Sequence, residues 1–514
     1  MALKSTAYGL INKIILALFS FFVFLTLYFA LVSPNLTLGD NVARQVIGEK
    51  TTWLSITFIL LVVGTIIGIV IDKRIRYCFN FIFYIKGKIT APILFMLVVG
   101  LQLLFVFATH PAIGFDPGAI HSALTNTTDD ELVSYFSLST NNLPLLLIQH
   151  HIAVYFSNHS WLLFDIVTLI LVDISVILNT ITISIIDRTK VIWTLYLQSI
   201  FLLVFPMIIV PYSDTWVLPL VSSYLLCYVI AQRRQRMSSI LIMGLGGILV
   251  ALTYFIKPSA IVPVVAIILI ELLGMLRALY LKQFKILIYS ISAVALMLLT
   301  MFVTVTYGQQ QINKQDYIQI RKGDNMPPIH FISMGLSGDG GYNPKDNIEM
   351  AKRPAYEDKV TYSENILKQR LAKLGIFGYL KFLLHKHNKN TSDGTFAWLI
   401  EGHFIQSKLD KQDKSRFFKN LVYPKGKYVA DFRYIAQWIW IFILGLMAFG
   451  FNYHHKLAQV LRLSIIGAFV YLLIFEGGRS RYLIQFLPVI FILATLSSSY
   501  TVNLFKRTFA WMRI

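Results

Sequence analysis

Long runs of apolar residues recur along the whole chain and are separated by shorter polar segments. A run of about 20 apolar residues is long enough to cross a hydrocarbon core of about 30 Å as an α-helix. The chain contains twelve such runs, at 9–33, 53–72, 89–109, 161–186, 191–211, 215–231, 239–256, 259–280, 285–306, 432–452, 457–475 and 482–500. The pattern therefore predicts an all-α polytopic membrane protein with about twelve transmembrane helices.

The composition agrees with this class, because 56% of the 514 residues are hydrophobic and only 14% are charged. The two cysteines, Cys78 and Cys227, lie in different segments. They predict neither a disulfide nor a structural zinc site.

Lysine and arginine concentrate in alternate connecting segments, as the positive-inside rule requires of cytoplasmic loops. The basic segments include Lys73–Arg76, Arg233–Arg236 and Lys506–Arg513, whereas 110–160 contains no Lys or Arg. We therefore expect both termini in the cytoplasm and 110–160 on the outer side of the cell membrane. The net charge of +20 is then a consequence of topology, and we expect no nucleic-acid partner.

Two outer segments are long. The first, 110–160, contains the amphipathic run LPLLLIQHHIAVYF, which predicts an interfacial helix with Gln149, His150 and His151 off its apolar face. The second, 307–431, is long enough to fold as a small extracytoplasmic domain. The expected organisation is a transmembrane bundle with its outer loop (1–306), this domain (307–431) and C-terminal transmembrane helices (432–514).

The second outer segment contains two notable stretches. In ENILKQRLAKLGIFGYLKFLLHKH, apolar residues at helical spacing predict a helix that lies along the outer bilayer face or packs on the protein's own spans. The Gly-rich stretch PPIHFISMGLSGDGGYNPKD, which includes His330, is either a backbone approach to a ligand or an ordinary loop.

Asp116, in HPAIGFDPGAIHSAL, is the first candidate for chemistry. Phe-Asp-Pro-Gly is typical of a turn, which is one explanation for the aspartate. The residue also opens the outer loop that has no basic residues, where a carboxylate is well placed to take a proton from an acceptor hydroxyl.

The segment FEGGRSRYL places Glu476, Arg479 and Arg481 in an outer turn. Ionisable groups at the membrane are costly and are usually functional, and a guanidinium fork matches phosphate oxygens. The alternative is an ion pair in which Glu476 and the arginines satisfy one another.

PYSDTW and FIKPSA place Asp214 and Lys257 at the outer ends of spans, where both side chains can face the same cavity. For Asp214 the alternative is a helix N-cap, and for Lys257 it is contact with lipid headgroups. Asp165 and Asp173 lie near one helical face, which we expect to point into the bundle.

Several motifs in this order resemble the GT-C superfamily of integral-membrane glycosyltransferases, and more closely a Gram-positive bacterial branch of it. The superfamily includes protein O-mannosyltransferases and the aminoarabinose transferase of lipid A. The motifs are GFDPGAIHSAL, YFSLSTNNLP, PYSDTW, FIKPSA, PPIHFISMGL with GGYNPKD, DGTFAWLIEGHF and EGGRSRYLIQFLP.

The chain departs from the usual superfamily pattern in two ways. The catalytic loop usually follows the first span, whereas here it follows the third. The frequent Asp-Glu dipeptide is absent at Asp116 and occurs at Asp130–Glu131, so these two residues are the rival catalytic site.

The resemblance implies transfer of a monosaccharide from a polyprenyl-phosphate carrier, with inversion, to a cell-wall polysaccharide, teichoic acid or glycolipid at the outer face. Asp116 is the expected base. The residues expected to bind substrate are Glu476, Arg479, Arg481, Tyr482, Lys257, Asp214, Asn141, Asn142 and His330. We expect membrane lipids as further partners and no cofactor, while a divalent metal stays open.

A transporter or a flippase for lipid-linked precursors is the alternative, because twelve spans with cytoplasmic termini also describe many carriers. The chain shows no internal repeat, and its late outer segment breaks any symmetry between halves.

Overall fold

The computed structural model describes residues 2–39, 50–234, 237–398, 405–407, 413–451, 453 and 455–508. Over these ranges the protein is an all-α polytopic membrane protein, as the apolar runs predict, and an isolated β-bridge joins Ile113 to Ile405. Arg236, Arg513 and the second half of the motif DGTFAWLIEGHF lie outside the described residues.

Eleven helices of the described ranges, some with adjoining turns, are long and apolar enough to cross a membrane. They are α1 (Ala2–Leu31), α2 (Trp53–Ile71), α4 (Gly87–Thr109), α8 (Trp161–Ile186), α11 (Leu218–Arg234), α12 (Met237–Ile256), α13 (Val262–Tyr280), α14 (Phe284–Lys314), α19 (Val429–Ala448), α20 (Lys456–Ile474) and α21 (Leu487–Thr508). Most of α11 and α21 is buried, whereas α2 lies almost entirely at the periphery.

Shorter helices connect or flank these spans. They are α3 (Lys73–Asn80), α5 (Phe115–Ala123), α6 (Asp130–Leu138), α7 (Leu143–Phe156), α9 (Val191–Leu202), α10 (Ser213–Trp216), α15 (Pro328–Met334), α16 (Pro344–Ala351), α17 (Tyr356–Thr391) and α18 (Arg416–Val422).

The apolar run at 191–211 is not a continuous helix. The helix α9 ends at Leu202, and a 3-10 turn follows at Pro206–Ile209, where proline provides no backbone N–H. Twelve residues of α-helix extend only about 18 Å, which is too short to cross a hydrocarbon core. Most residues of the run are nevertheless buried inside the bundle, and hydropathy alone does not distinguish such a segment from a lipid-facing span.

The start of α2 is held by a carboxylate from α19. Both oxygens of the buried Asp431 are used, since Oδ1 accepts from the backbone N–H groups of Thr52 and Ser55, at 2.7 and 3.1 Å, and Oδ2 accepts from the Thr52 hydroxyl at 2.9 Å. A negative charge at a helix N-terminus satisfies orphan donors and matches the helix dipole. This contact fixes the peripheral α2 to the bundle.

The helices α12 and α14 pack closely at a glycine. A Cβ built on Gly247 would lie 2.1 Å from the Met297 carbonyl oxygen and 2.2 Å from the Thr300 hydroxyl oxygen. The Thr300 hydroxyl donates to the Gly244 carbonyl at 2.8 Å, which is the interhelical bonding that small residues allow in membranes.

The segment 110–160 forms three helices, α5 to α7, and α7 coincides with the predicted 14-residue interfacial run. One detail of that prediction is wrong. Gln149 does not lie off the buried face, because its side chain is buried and Nε2 donates to the Pro211 carbonyl at 3.0 Å. The side-chain amide of Gln149 has a hydrogen-bond partner inside the protein, so its polarity did not predict its exposure.

The segment 307–431 carries α15 to α18 but is not separate from the bundle. The predicted amphipathic helix lies within α17, which breaks at Gly375, where φ is +60°. The residues after α17 are buried among spans: Phe396 packs on Phe201 and Trp440, and the indole N–H of Trp440 donates to the Thr391 carbonyl at 3.0 Å. The end of α17 therefore enters the bundle.

We expect Gly247→Ala to destabilise the protein by about 1–3 kcal/mol, because an added methyl group forces α12 and α14 apart. The measurement is thermal unfolding of the purified protein in detergent. Gly64→Ala in α2 is the matched control, since a Cβ there meets no atom within 4 Å. Equal stability of the two variants would show that the close contact does not exist.

Candidate functional site

Asp116 lies in the first turn of α5. The preceding Phe115 has a φ of +57°, and a Cβ on Gly118 would lie 2.7 Å from the Ile113 carbonyl oxygen, so the chain reverses tightly here. The Phe-Asp-Pro-Gly turn and the start of a helix are thus the same structure. An aspartate in a first helical turn interacts favourably with the helix dipole.

Two tyrosine hydroxyls donate to the carboxylate of Asp116. The Tyr135 hydroxyl lies 2.7 Å from Oδ1, and the Tyr212 hydroxyl lies 2.9 Å from Oδ2. Asn142 joins them, since its Nδ2 donates to the Tyr135 oxygen at 2.6 Å and its Oδ1 lies 3.2 Å from the Tyr212 hydroxyl. We call these four residues the Asp116 network.

The Asp116 network contains two phenols that stay protonated at neutral pH. Burial raises the pKa of both Tyr135 and Tyr212 well above the usual value, and the negative charge of Asp116 raises both further. Each phenol is therefore a donor, and together they fix the plane of the carboxylate.

A second group, the Asp214 ion cluster, consists of Asp214, Lys257 and Arg481. Lys257 Nζ lies 2.5 Å from Asp214 Oδ1, and Arg481 Nε lies 3.3 Å from Oδ2. The three side chains are only 11%, 5% and 7% exposed for Lys257, Asp214 and Arg481. The alternatives predicted for these residues were a helix N-cap for Asp214 and contact with lipid headgroups for Lys257. Neither holds, because Asp214 is not an N-cap and Lys257 pairs with a carboxylate.

Tyr212 connects the two groups. Its ring lies under both cations, with Lys257 Nζ 5.8 Å and the Arg481 guanidinium carbon 5.7 Å from the ring centroid. Its hydroxyl contacts Asp116 at the other end of the side chain. Tyr212 therefore lies between the Asp116 carboxylate and the two cations.

Tyr482 contacts both cations and Glu476. The two cations also lie over the Tyr482 ring, Arg481 at 5.3 Å and Lys257 at 5.6 Å, and the Tyr482 hydroxyl donates to Glu476 Oε1 at 2.9 Å. Burial raises the pKa of Glu476, and Asp116 raises it further while Arg481 lowers it. Glu476 therefore has Tyr482 as a hydrogen-bond donor. Arg481 pairs with the carboxylate of Asp214 at 3.3 Å.

The arginine turn (475–482) is held in place by α17 and the Gly-rich loop. Lys386 Nζ donates to the Phe475 carbonyl at 2.7 Å and to the Gly335 carbonyl at 2.6 Å. One helical turn later, Asn390 Oδ1 accepts from the Gly478 N–H at 2.5 Å. The Gly477 N–H donates to the Gly340 carbonyl at 2.8 Å.

The Gly-rich loop also approaches the site directly. A Cβ on Gly341 would lie 3.9 Å from Arg479 Nε. Burial raises the pKa of the neighbouring Tyr342, and the charges of Asp116 and Glu476 raise it as well. The loop therefore borders the same region as Asp116.

Several predicted residues lie away from this site. The Asp130 side chain is 96% exposed and lies 3.5 Å from Arg321, and Glu131 is exposed as well. Asn141 is exposed and reaches the network only through Asn142, at 3.4 Å. His330 is buried near Asp346 and Arg370, and burial lowers its pKa to about 4.

The intramembrane aspartates face the bundle interior as predicted. Asp165 and Asp173 are both buried in α8. Neither oxygen of Asp165 has a hydrogen-bond partner among the described residues. Among all the residues that the structure describes, His, Cys, Asp and Glu side chains form no group of three that could hold a metal ion.

Sequence reasoning named Asn142 as a substrate-binding residue but did not assign the two tyrosines that hold the carboxylate of Asp116. Tyr135 and Tyr212 lie within the motifs YFSLSTNNLP and PYSDTW, but tyrosine is common in the chain, with 26 occurrences. Lys386 was considered only as part of an amphipathic helix, and no role was predicted for Asn390. The signal that could have identified these two tyrosines was their position beside predicted site residues.

Comparison with known proteins gives a family without an assigned activity. No curated protein and no solved structure matches the chain. A family model described as "Conserved hypothetical integral membrane protein" matches residues 7–502. Since this match covers nearly the whole sequence, the chain belongs to that family of conserved hypothetical integral membrane proteins.

Proposed function

We propose that the protein is a GT-C-like glycosyltransferase that moves a monosaccharide from a polyprenyl-phosphate carrier to a hydroxyl group of a cell-surface acceptor. The acceptor class is a cell-wall polysaccharide, a teichoic acid or a glycolipid. The observation that carries this proposal is the contact of Tyr212 with Asp116 on one side and with Lys257 and Arg481 on the other. It supports a base placed next to an anion-binding group.

The proposed step is a single displacement at the anomeric carbon. The acceptor oxygen forms a bond to this carbon while the bond from the carbon to the phosphate oxygen breaks, and the electron pair leaves with the phosphate. The acceptor proton passes to the carboxylate of Asp116. The configuration at the carbon inverts, and charge builds on the departing phosphate.

Asp116 retains the capacity for this role. A carboxylate offers about four lone-pair positions, and the two tyrosine hydroxyls occupy one on each oxygen. The tyrosines hold the carboxylate in one orientation and leave positions for an acceptor hydroxyl. Such fixed geometry is a large part of general base catalysis.

The charge of the Asp214 ion cluster suits a phosphodiester. Two cations, Lys257 and Arg481, surround one carboxylate, so the cluster carries a net charge of +1 when all three groups are ionised. A polyprenyl-phosphate sugar carries one negative charge on its phosphate. Binding would therefore neutralise a buried positive site, which favours retention of the donor and stabilises the departing phosphate.

We place this site on the extracytoplasmic face of the cell membrane, with both termini in the cytoplasm. The support is the distribution of lysine and arginine, which are absent from 110–160 and abundant in the alternate loops. The site described above lies at the end of the bundle where α4 leads into α5 and α12 ends before Lys257.

We expect Asp116→Asn to lower sugar transfer by about 10²- to 10⁴-fold, because the amide keeps the shape of the side chain but cannot accept the proton. The measurement is loss of labelled sugar from a panel of polyprenyl-phosphate hexoses. Purified protein would be mixed with membranes that supply acceptors.

The matched control is the double variant Asp130→Asn/Glu131→Gln, which removes the exposed acidic pair of the same loop and should retain full transfer. Full activity of Asp116→Asn would refute its role as the base. Loss of transfer in the control alone would assign that role to the Asp-Glu pair.

We expect Arg481→Lys to weaken binding of polyprenyl phosphate by about tenfold or more, because an ammonium group cannot bind two phosphate oxygens as a guanidinium fork does. The positive charge is kept, so Asp214 is not left unpaired in a buried position. Binding would be measured by displacement of a fluorescent polyprenyl phosphate.

Arg321→Lys is the control for this substitution, since Arg321 is about half exposed and pairs with Asp130 outside the site. It should bind the lipid phosphate as the unmodified protein does. Equal affinity in all three proteins would exclude Arg481 as a phosphate ligand.

A lipid-carrier flippase or transporter is the second candidate. Two observations favour it: Asp165 and Asp173 are buried within α8, and the run at 191–211 is a short helix followed by a turn. Proteoliposomes that move a fluorescent lipid-linked sugar between leaflets, but transfer no label from any donor, would support this function over the first.

A further inference from the structure

The C-terminal half of α17, which follows the break at Gly375, has an apolar surface that no described part of the chain covers. After the break at Gly375, Ile376 and Phe377 are 79% and 87% exposed, and Leu380 and Leu384 are 54% and 47% exposed. Exposed apolar side chains are expected inside a transmembrane span, where lipid surrounds them. α17 does not belong to any of the candidate spans among the described residues.

The C-terminal end of this half-helix is fastened to two spans. The ring of His387 lies 2.9 Å from the Thr26 hydroxyl of α1, measured from Nε2, and its centroid lies 5.1 Å from that of Phe469 in α20. Lys386 and Asn390 are also buried against the arginine turn. The half-helix is thus anchored at its C-terminal end, and the exposed apolar side chains lie in the turns that precede the anchor.

The depth of the anchor follows from helix geometry. Thr26 lies five residues before the end of α1, and Phe469 lies five residues before the end of α20. At about 1.5 Å per residue, His387 is about 7 Å below the ends of both helices. This end of α17 therefore reaches the level of the membrane spans.

The same geometry limits how far the break can rise above the membrane. Phe377 precedes His387 by ten residues, so it lies at most about 15 Å higher, which is about 8 Å above the helix ends. The headgroup layer on each side of a bilayer is about 5–7 Å thick. Phe377 therefore starts within or just above that layer, and any tilt of α17 brings it closer to the acyl chains.

The charges around this surface suit the same location. Lys373 precedes the break and Lys381 follows it, and both are exposed. Basic side chains beside an apolar face are typical of helices that lie in the bilayer interface, where ammonium groups contact lipid phosphates.

We propose that the elbow of α17, residues 375–384, docks into the lipid bilayer in the leaflet next to the candidate site. Ile376, Phe377, Leu380 and Leu384 contact the acyl-chain boundary, and Lys373 and Lys381 contact the headgroup phosphates. The partner is the bilayer itself and not a second protein. This proposal does not rest on the reaction proposed for the site.

The test uses a fluorophore at position 377. In a background of Cys78→Ser and Cys227→Ser, Phe377→Cys is labelled with an environment-sensitive dye, and the protein is reconstituted into phosphatidylcholine vesicles with one quarter phosphatidylglycerol. Quenching by nitroxides on lipid acyl chains is compared with quenching by aqueous iodide. We expect strong acyl-chain quenching and an iodide quenching constant at least about threefold below that of the control.

The matched control is Ile348→Cys in α16, which is also apolar in type, 56% exposed and part of the segment 307–431. It should be quenched by iodide and not by the acyl-chain nitroxides. If Phe377→Cys does not yield folded protein, Ile376→Cys tests the same surface. Iodide quenching at 376 or 377 equal to that at 348 would overturn the proposal.

A charge-reversed form tests the headgroup contact. Lys373→Glu/Lys381→Glu should abolish the difference in acyl-chain quenching at 377 between vesicles with phosphatidylglycerol and vesicles of phosphatidylcholine alone. An unchanged difference would overturn the assignment of these two lysines to lipid phosphates.

Discussion

The buried carboxylate of Asp214 sets the geometry on which the candidate site depends. It is paired with Lys257, which follows α12, and with Arg481, which precedes α21, so three separate parts of the bundle meet at one ion cluster. Charges taken out of water need such partners, and removing one partner alone leaves an uncompensated charge. The cations in turn lie over Tyr212 and hold its ring. The position of Asp116 follows from this arrangement, because the Tyr212 hydroxyl donates to its carboxylate.

Tyr212 lies between Asp116 and the two cations, since its hydroxyl donates to the carboxylate and its ring faces Lys257 and Arg481. A direct ion pair would stabilise the charge of Asp116 and weaken it as a base. A neutral phenol instead orients the carboxylate by a single hydrogen bond and offers its ring to the cations. Both Tyr135 and Tyr212 have a raised pKa because of burial and the charge of Asp116, so they remain donors at neutral pH. In the proposed mechanism, this arrangement places the base close to the anion-binding group.

The apolar runs predicted most of the fold, because lipid requires long helices whose backbone groups are satisfied internally. The same logic did not separate a buried segment from a span, and 191–211 is a short helix and a turn inside the bundle. For the site, the sequence indicated Asp116, Asp214, Lys257 and Arg481 through their position at the ends of spans. It did not indicate which of them pair, since Glu476 and Asp214 were equally suitable partners for Arg481. Pairing depends on helix packing, and the choice of Asp116 over Asp130 depends on exposure that short motifs do not encode.

The helix α17 connects the site to the membrane surface. Lys386 and Asn390 lie one helical turn apart and bind backbone groups of the arginine turn. Ile376 and Phe377 lie on the same half-helix, beyond the break at Gly375. A rigid helix with one end bonded to the arginine turn and the other in the lipid interface fixes the height of that turn relative to the headgroups. In the proposed reaction a lipid phosphate meets Arg481, which requires both to lie at the same depth, so the apolar elbow and the buried Lys386 would serve one geometric requirement.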